Sequence, residues 1–260
     1  MLFNEDMRTY IKKTTEKFGL IIMDPPFGKV VNANWDAETF ELNNVVISDL
    51  YNILEDDGNL LLHCGMGSRS NSLIEWFNAF EQYNKTTKKD QFQFQDTITW
   101  AKTRGIGMRR GPLQISEHIL WFTKKGHRHN WNTENQYSEE KRPFNVVKKG
   151  GQMVNKSEYK RFTTVWDIPE LGFGKSPKML KEVKKDIAHL TPKHPKLADR
   201  MIKLFLKQGS SVYIPFAGSG MELLACKENY VKWIATEIDV DNINFISNYI
   251  LSDRIKFEDF

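Results

Sequence analysis

An α/β fold with a mostly parallel, twisted sheet is predicted for this 260-residue chain by the way its apolar residues are spaced. Short apolar runs of strand length alternate with longer segments of helical spacing, and the runs end in turn-forming residues. No internal repeat is present. Length fits one large domain, read as residues 1–260, with a basic region at 103–161 inserted into it.

Phe18-Gly19-Leu20-Ile21-Ile22-Met23 is the first buried strand, and it stops at Asp24 because the paired prolines of Asp24-Pro25-Pro26-Phe27 would remove ladder donors. Ile47 to Leu54 has helical spacing. Glu55-Asp56-Asp57-Gly58 reads as a turn, Asn59 to Cys64 as a second buried strand, and Ser72 to Tyr83 as an amphipathic helix. Gln95–Trp100 and Glu117–Thr123 are two further strands, separated by a basic loop over 102–111. From Gly126 to Arg161 the pattern dissolves into polar, basic sequence, which predicts loop. Order returns at Phe162–Asp167, followed by a helix near Lys196 to Lys207. Ser211–Ile214 is then a strand, Pro215–Gly220 a turn, Met221–Asn229 a helix, and Lys232–Thr236 a last strand ending in Glu237.

Charge is uneven. The chain has 37 basic and 33 acidic residues, yet residues 101–200 carry a net +12 and the remainder a net −8. Such a basic middle is either a solvated lysine-rich face or a polyanion-binding segment, nucleic acid being the expected polyanion. With 40% hydrophobic and 27% charged residues, the composition excludes a disordered or fibrous chain. The longest apolar runs fall far short of the roughly 18–20 residues that cross a bilayer, so no membrane partner is expected. Met1 to Asp6 lack the layout of a secretory signal, and Cys64 and Cys226 stand alone. The expected compartment is the cytoplasm of a prokaryotic, viral or phage system, or the nucleus in a eukaryote. Two cysteines and six histidines form no Cys-x-x-Cys or His-x-x-x-His pair, so no metal is expected.

Two segments carry chemistry. In Ser211 to Asp239 a strand leads into Pro215-Phe216-Ala217-Gly218-Ser219-Gly220, then a helix, a strand and an acid. The glycines allow backbone to approach a ligand at the carboxyl end of a strand, and Glu237 is placed to accept hydrogen bonds from ribose hydroxyls. A lone Gly-x-Gly is equally a tight βα turn. The absence of Gly-x-Gly-x-x-Gly disfavours a pyrophosphate cofactor. Gly172 to Ser176 ends like a P-loop but has Pro169 where the motif needs glycine, and Gly105-Ile106-Gly107 is assigned to the basic segment.

Asp24-Pro25-Pro26-Phe27 offers the Asp24 carboxylate and the Pro25 carbonyl on a stiff turn. Two such acceptors could take both hydrogens of a nucleobase exocyclic amine, drawing the nitrogen toward tetrahedral geometry and freeing its lone pair for an electrophilic methyl group. Phe27 could stack on an extruded base. The same four residues also fit an ordinary Pro-Pro turn with Asp24 as a cap.

These motifs, in this order, resemble the amino-directed N6-adenine/N4-cytosine DNA methyltransferases of the permuted beta group. There the Asp-Pro-Pro-aromatic turn comes first, a recognition region follows, and Phe-x-Gly-x-Gly comes last. Thr97–Lys102 and Glu117–Lys124 are similar to that family's intervening strands, and Thr164–Pro169 to another recurrent segment. His189-Leu190-Thr191-Pro192-Lys193-His194-Pro195 resembles its cofactor-contacting His-x-Thr-x-Lys-Pro element. The resemblance covers most of the chain and implies a Rossmann-like S-adenosylmethionine-dependent methyltransferase fold with an inserted target-recognition region. Asp24, Pro25, Pro26 and Phe27 are then the expected catalytic residues. The expected cofactor site is Asp24, Thr191, Lys193, Pro215, Phe216, Ala217, Gly218, Ser219, Gly220, Glu237 and Ile238. DNA is the expected partner, through Arg104, Arg109, Arg110, Lys124 and Lys125; a homodimer is compatible with the sequence. Family members that methylate adenine usually open the turn with aspartate and those that methylate cytosine N4 with serine, so Asp24 points to adenine.

Two departures from the pattern stand out. His194 separates Lys193 from Pro195, and Ile214 replaces the aspartate that usually precedes Pro-Phe. A C5-cytosine enzyme is excluded, because neither Cys64 nor Cys226 follows proline. The alternatives that remain are an N4-cytosine enzyme, an RNA adenine methyltransferase, and a silent nucleic-acid-binding subunit on the same fold.

Overall fold

The computed structural model describes residues 1–28, 39–67, 70–106, 111–143, 146–155, 157–171 and 192–260. Its centre is an eight-stranded sheet with strand order β1 (Leu2–Asn4), β12 (Lys232–Glu237), β11 (Ser211–Ile214), β2 (Phe18–Met23), β3 (Leu54–Cys64), β5 (Gln114–Lys124), β4 (Phe92–Ile106) and β10 (Val165–Trp166). Every neighbouring pair is parallel except the two that involve β5.

Helices cover both faces, which is why the strands read as continuous apolar runs. Leu20 and Ile22 of β2 belong to one core with Leu197, Met201, Phe205 and Leu224; Phe18, Ile21 and Met23 belong to the other with Ile47, Leu50, Trp76 and Phe80. Each such side chain contributes roughly 1.5–3 kcal/mol by leaving water. On one side lie α1 (Met7–Lys13), α2 (Asn44–Ile53) and α3 (Ser72–Thr86). On the other lie α4 (Pro195–Phe205), α5 (Met221–Glu228) and the C-terminal turns after α6 (Val240–Phe245).

The helix α4 shows how sequence sets an element. His194, the residue that interrupts Lys-Pro, is its N-cap: the ring Nδ1 accepts from the Lys196 N–H at 3.2 Å, and Pro195 takes the first turn, where no N–H is needed. The apolar positions 197, 198, 201, 202, 204 and 205 then face the core. Ile214 is buried in the sheet and brings no polar group to the site.

Three predicted boundaries change. Glu55–Gly58 is not a turn outside the sheet but a bulge within β3, whose pairing steps from Phe18↔Leu54 to Leu20↔Asn59. Leu54 is buried, so the chain enters the sheet directly after α2, and the bulge is tied by Glu55 to Ser210 (2.7 Å) and by Asp57 to Lys207 (2.7 Å). The predicted basic loop starts later, because β4 runs on to Ile106, which pairs with Gln114. The predicted loop from Gly126 to Arg161 contains two antiparallel ribbons, β6 (Tyr137–Lys141) with β9 (Tyr159–Arg161) and β7 (Val146–Lys149) with β8 (Gln152–Asn155). Tyr137, Met153 and Tyr159 on these strands are exposed, so no alternation of buried apolar residues announces them; the Gly150-Gly151 dipeptide between β7 and β8 was their available signal. No helix among the described residues is long and apolar enough to cross a membrane.

Candidate active site

Connections from β11 lead through α5 to β12 on one side, and those from β2 lead through α2 to β3 on the other. The chain therefore diverges between β11 and β2, which are paired at Val212↔Leu20 and Tyr213↔Ile21. In open α/β sheets the crevice beyond the carboxyl ends at such a point is the ligand site. Here both chemistry-bearing segments end there: Asp24 follows β2 and Pro215 follows β11. They line one cleft of about 470 Å³, together with Lys193, Phe216 to Ser219, Glu237 and Ile238.

The floor of the cleft is a backbone cradle. Gly218 (φ +50°) and Gly220 (φ +73°) occupy left-handed conformations, and a Cβ on Gly220 would lie 2.8 Å from Ile246 Cγ1. Gly220 itself lies behind the cleft as the N-cap of α5. Glu237 is buried and braces this turn, accepting the N–H of Gly218 at 2.7 Å on one carboxylate oxygen and that of Asp239 at 2.9 Å on the other. Burial raises its pKa above the ordinary carboxylate value, against the two backbone donors that lower it. Phe216 meets Phe40 edge-on at 5.0 Å, and the Arg8 guanidinium lies 5.7 Å from the Phe40 ring centroid. A cradle with two left-handed glycines, an aromatic wall and a terminal acid fits a nucleoside-bearing donor such as S-adenosylmethionine.

Opposite the cradle stands a chain of charges. Lys193 Nζ is 2.9 Å from Asp24 Oδ2 and 3.1 Å from Glu117 Oε2, and Lys102 pairs with the other oxygen of Glu117. Glu117 is subject to a strong burial penalty, yet Lys193 and Lys102 overcome it and hold its pKa down at about 2. Burial opposes the charge on Lys193, but Asp24 and Glu117 raise its pKa well above the ordinary lysine value. His63, wholly buried beside them, is pushed down to about 4 by burial. Asp24 thus faces the cleft as one member of a fixed ion network.

The rest of the Asp-Pro-Pro-Phe turn is pinned from behind. Pro26 O accepts the Phe40 N–H at 3.1 Å; Phe27 O accepts from Thr39 Oγ1 at 3.1 Å and Ser70 Oγ at 3.3 Å. The Phe27 ring meets Trp76 at 5.9 Å, edge-on, and Trp76 Nε1 donates to Phe40 O at 2.9 Å. Pro25 is buried; Pro26 lines the cleft.

Thr191, Arg109 and Arg110 lie outside the described residues, and Arg104 is described only as a backbone position on β4. Lys124 and Lys125 are corrected. They end β5 at the pole of the sheet opposite the cleft, since β5 runs against its neighbours. Lys124 is 5% exposed, 3.1 Å from Asp56 and 4.4 Å from the Tyr51 ring centroid, while Lys125 bonds Gln91 at 2.7 Å. Both therefore lie at the end of the sheet away from Asp24. Sequence reading missed Arg8, Phe40 and Glu117, which join the site from elements far from its motifs, and Glu222, which follows the glycine turn directly. Glu117 alone left a signal, a charge inside a strand otherwise destined for burial. Among the described residues no cluster of histidine, cysteine and carboxylate side chains could hold a metal ion.

A doubly covered parallel sheet, a donor cradle at its divergence point and a carboxylate on the adjoining turn define a Rossmann-like group-transfer enzyme. Residues 18–248 match the N6/N4-type DNA methylase family, and the chain belongs to it: it is a DNA methyltransferase, with S-adenosylmethionine as the methyl donor. It is 25% identical to the Type II methyltransferase M.HpaI of Haemophilus parainfluenzae, over 92% of this chain and 70% of that one. In fold it is similar to the cytosine-N4-specific PvuII DNA methyltransferase (TM-score 0.70, 14% identity, 99% of this chain and 88% of that one). It is likewise similar to M1.HpyAVI, whose structure is a complex with S-adenosylmethionine (TM-score 0.59, 19% identity, 95% and 98% covered).

Proposed function

We propose that the chain methylates the exocyclic N6 of an adenine rotated out of DNA into the cleft. One observation supports this reading above others: the Asp24 carboxylate lines the same cleft as the donor cradle. Asp24 accepts one hydrogen of the amine and the Pro25 carbonyl the other, so that the nitrogen lone pair is turned toward the methyl group. Lys193, 2.9 Å from Asp24 Oδ2, fixes the orientation of that carboxylate. The donor would supply a methyl group on a sulfonium centre: the nitrogen–carbon bond forms as the carbon–sulfur bond breaks, the pair stays on sulfur as a neutral thioether, and the proton lost by the nitrogen passes to solvent. Phe27 stacks on the extruded base, its carbonyl and ring already held by Ser70, Thr39 and Trp76. Glu237 accepts from the ribose hydroxyls, and Thr191 and Lys193 complete the donor site.

Arg104, Arg109 and Arg110, in the basic stretch of sequence that ends β4 and leads to β5, grip phosphates. The pair β4–β5 has its Glu117 end at the cleft, because Glu117 reaches Lys193 there and is held by Lys102. Relatives that are Type II methyltransferases support a site-specific enzyme within a restriction-modification system. Adenine is favoured over cytosine N4 by the aspartate that opens the turn. Enzymatic digestion of DNA from cells expressing the protein, followed by nucleoside mass analysis, tests the choice: N6-methyldeoxyadenosine is expected, and N4-methyldeoxycytidine in its place would refute it.

A further inference from the structure

Glu222 is a carboxylate in the donor cleft that neither the transfer chemistry nor the ion network uses. It lies in the first turn of α5, two residues after Gly220, is 9% exposed, and lines the cleft with Asp24, Lys193 and Glu237. Among the described residues its carboxylate meets no cation within ion-pair distance and accepts only from its own backbone N–H. Its charged and titratable surroundings are Asp24 after β2, Lys193 ahead of α4, Glu237 after β12, Asp239 before α6, the Asp6–Arg8 pair at the start of α1, and Cys226 one turn along its own helix. Lys193 already serves Asp24 and Glu117, and Arg8 is taken by Asp6 at 2.6 Å. Of the five acids lining the cleft only Asp6 and Asp24 have a cation there, and of the other three Glu237 and Asp239 accept backbone N–H groups of neighbouring residues, which leaves Glu222 as the acid that no neighbouring residue serves among those described.

A ligand that brings positive charge completes such a site. The methyl donor carries a sulfonium cation besides its ammonium and carboxylate groups; once the methyl has left, the sulfonium becomes a neutral thioether, and the product is one charge less positive. We propose that Glu222 is a charge-selecting residue, which makes the cleft hold S-adenosylmethionine in preference to the spent S-adenosylhomocysteine. This deepens the donor reading of the cleft and rests on it. A catalyst whose product shares nearly all of its donor's contacts would otherwise be retained by that product, and a carboxylate sensitive to the lost charge favours exchange. Burial, and then the like charge of Asp24, raise the Glu222 pKa to about 7, so its selectivity is itself pH-dependent. The preference is present above that pH and fades below it as the acid takes up a proton.

Calorimetric titration of the full chain with each of the two ligands, at pH 6 and pH 8, for the native protein and for Glu222→Gln, tests this. The ligands' own titration is the same for both proteins and cancels in the comparison. In the native protein the ratio of the two dissociation constants should favour the donor by about tenfold more at pH 8 than at pH 6, one proton being linked to binding. In Glu222→Gln the ratio should fall by about tenfold at pH 8 and lose its dependence on pH. A variant that weakens both ligands equally, leaving the ratio intact, overturns the proposal and marks Glu222 as structural. Failure of the underlying donor reading is a separate result: Glu237→Ala would then bind both ligands as tightly as the native chain.

Discussion

Lys193 Nζ lies 2.9 Å from Asp24 Oδ2 and 3.1 Å from Glu117 Oε2, a single ammonium shared by two carboxylates from different strands. Removing it leaves both acids facing each other in a largely buried space. Lys193→Met should destabilise the fold by about 3 kcal/mol at pH 7, the scale for stranding a buried charge. Urea denaturation measures this, and a loss below about 1 kcal/mol would show the acids to be well solvated.

Stability should fall on acidification in two stages with different owners. His63 is neutral in the fold down to about pH 4, so its contribution is complete above an unfolded value near 6.5 and is lost as the pH falls from there to about 4. That loss is about 3 kcal/mol. Glu117 is held at about 2, so what it contributes persists to an unfolded value near 4.5 and disappears as the pH falls through about 2. Chemical denaturation at closely spaced pH values should show the upper slope become clearly shallower in His63→Leu, with His194, which burial also pushes down to about 4, supplying what is left, while the lower slope remains. An unchanged upper slope would assign it to another group.

Asp24→Asn should lower methyl transfer by at least about a thousandfold, the scale for removing a charge-stabilising acceptor. Lys193 keeps Glu117 as a partner, so the variant should remain folded. Single-turnover assays with radiolabelled donor give the rate; activity within tenfold of native would remove Asp24 from the chemistry.

Glu237→Ala should weaken donor binding by roughly ten- to a hundredfold, because the acid braces the Gly218 turn and is proposed to accept from the ribose. Calorimetry on the folded variant reads this directly. Native affinity would refute the ribose assignment.

DNA binding should discriminate between the two ends of the β4–β5 hairpin. Arg104→Ala should reduce the log–log salt slope of DNA affinity by about one unit, whereas Lys125→Ala, at the opposite pole, should leave it unchanged. Fluorescence anisotropy across a salt series separates them, and equal effects would mean that DNA reaches both poles.

The central strands were legible in the sequence because helices bury them on both faces, and their apolar runs survive without any partner being known. The same applies to Asp24 and to Phe216–Glu237, where prolines and glycines mark chain reversals that only a few residue types can make. Less could be read where a position is defined by what lies across from it. Glu117 matters because Lys193, far along the chain, meets it; Glu222 matters because no cation among the described residues does. The edge strand Leu2–Asn4 is too short for any periodicity and exists only through its register with Ala235–Glu237. Lys124 misled for the converse reason: its sequence neighbourhood is basic, but the reversed direction of β5 carries it to Asp56.

Synthesis from the amino terminus makes the two walls of the cleft at very different times. Asp24 and its turn leave the ribosome early, while β11, the cradle and β12 emerge near the end and must then insert beside strands already formed: β11 between β2 and β12, and β12 between β11 and the waiting Leu2–Asn4. Until that insertion the edge of β2 that pairs with β11 is open. The growing chain also has no place for the donor. A nascent chain that already exposes its basic middle can touch nucleic acid without being able to mark it, and methylation begins only when the last strand closes the sheet.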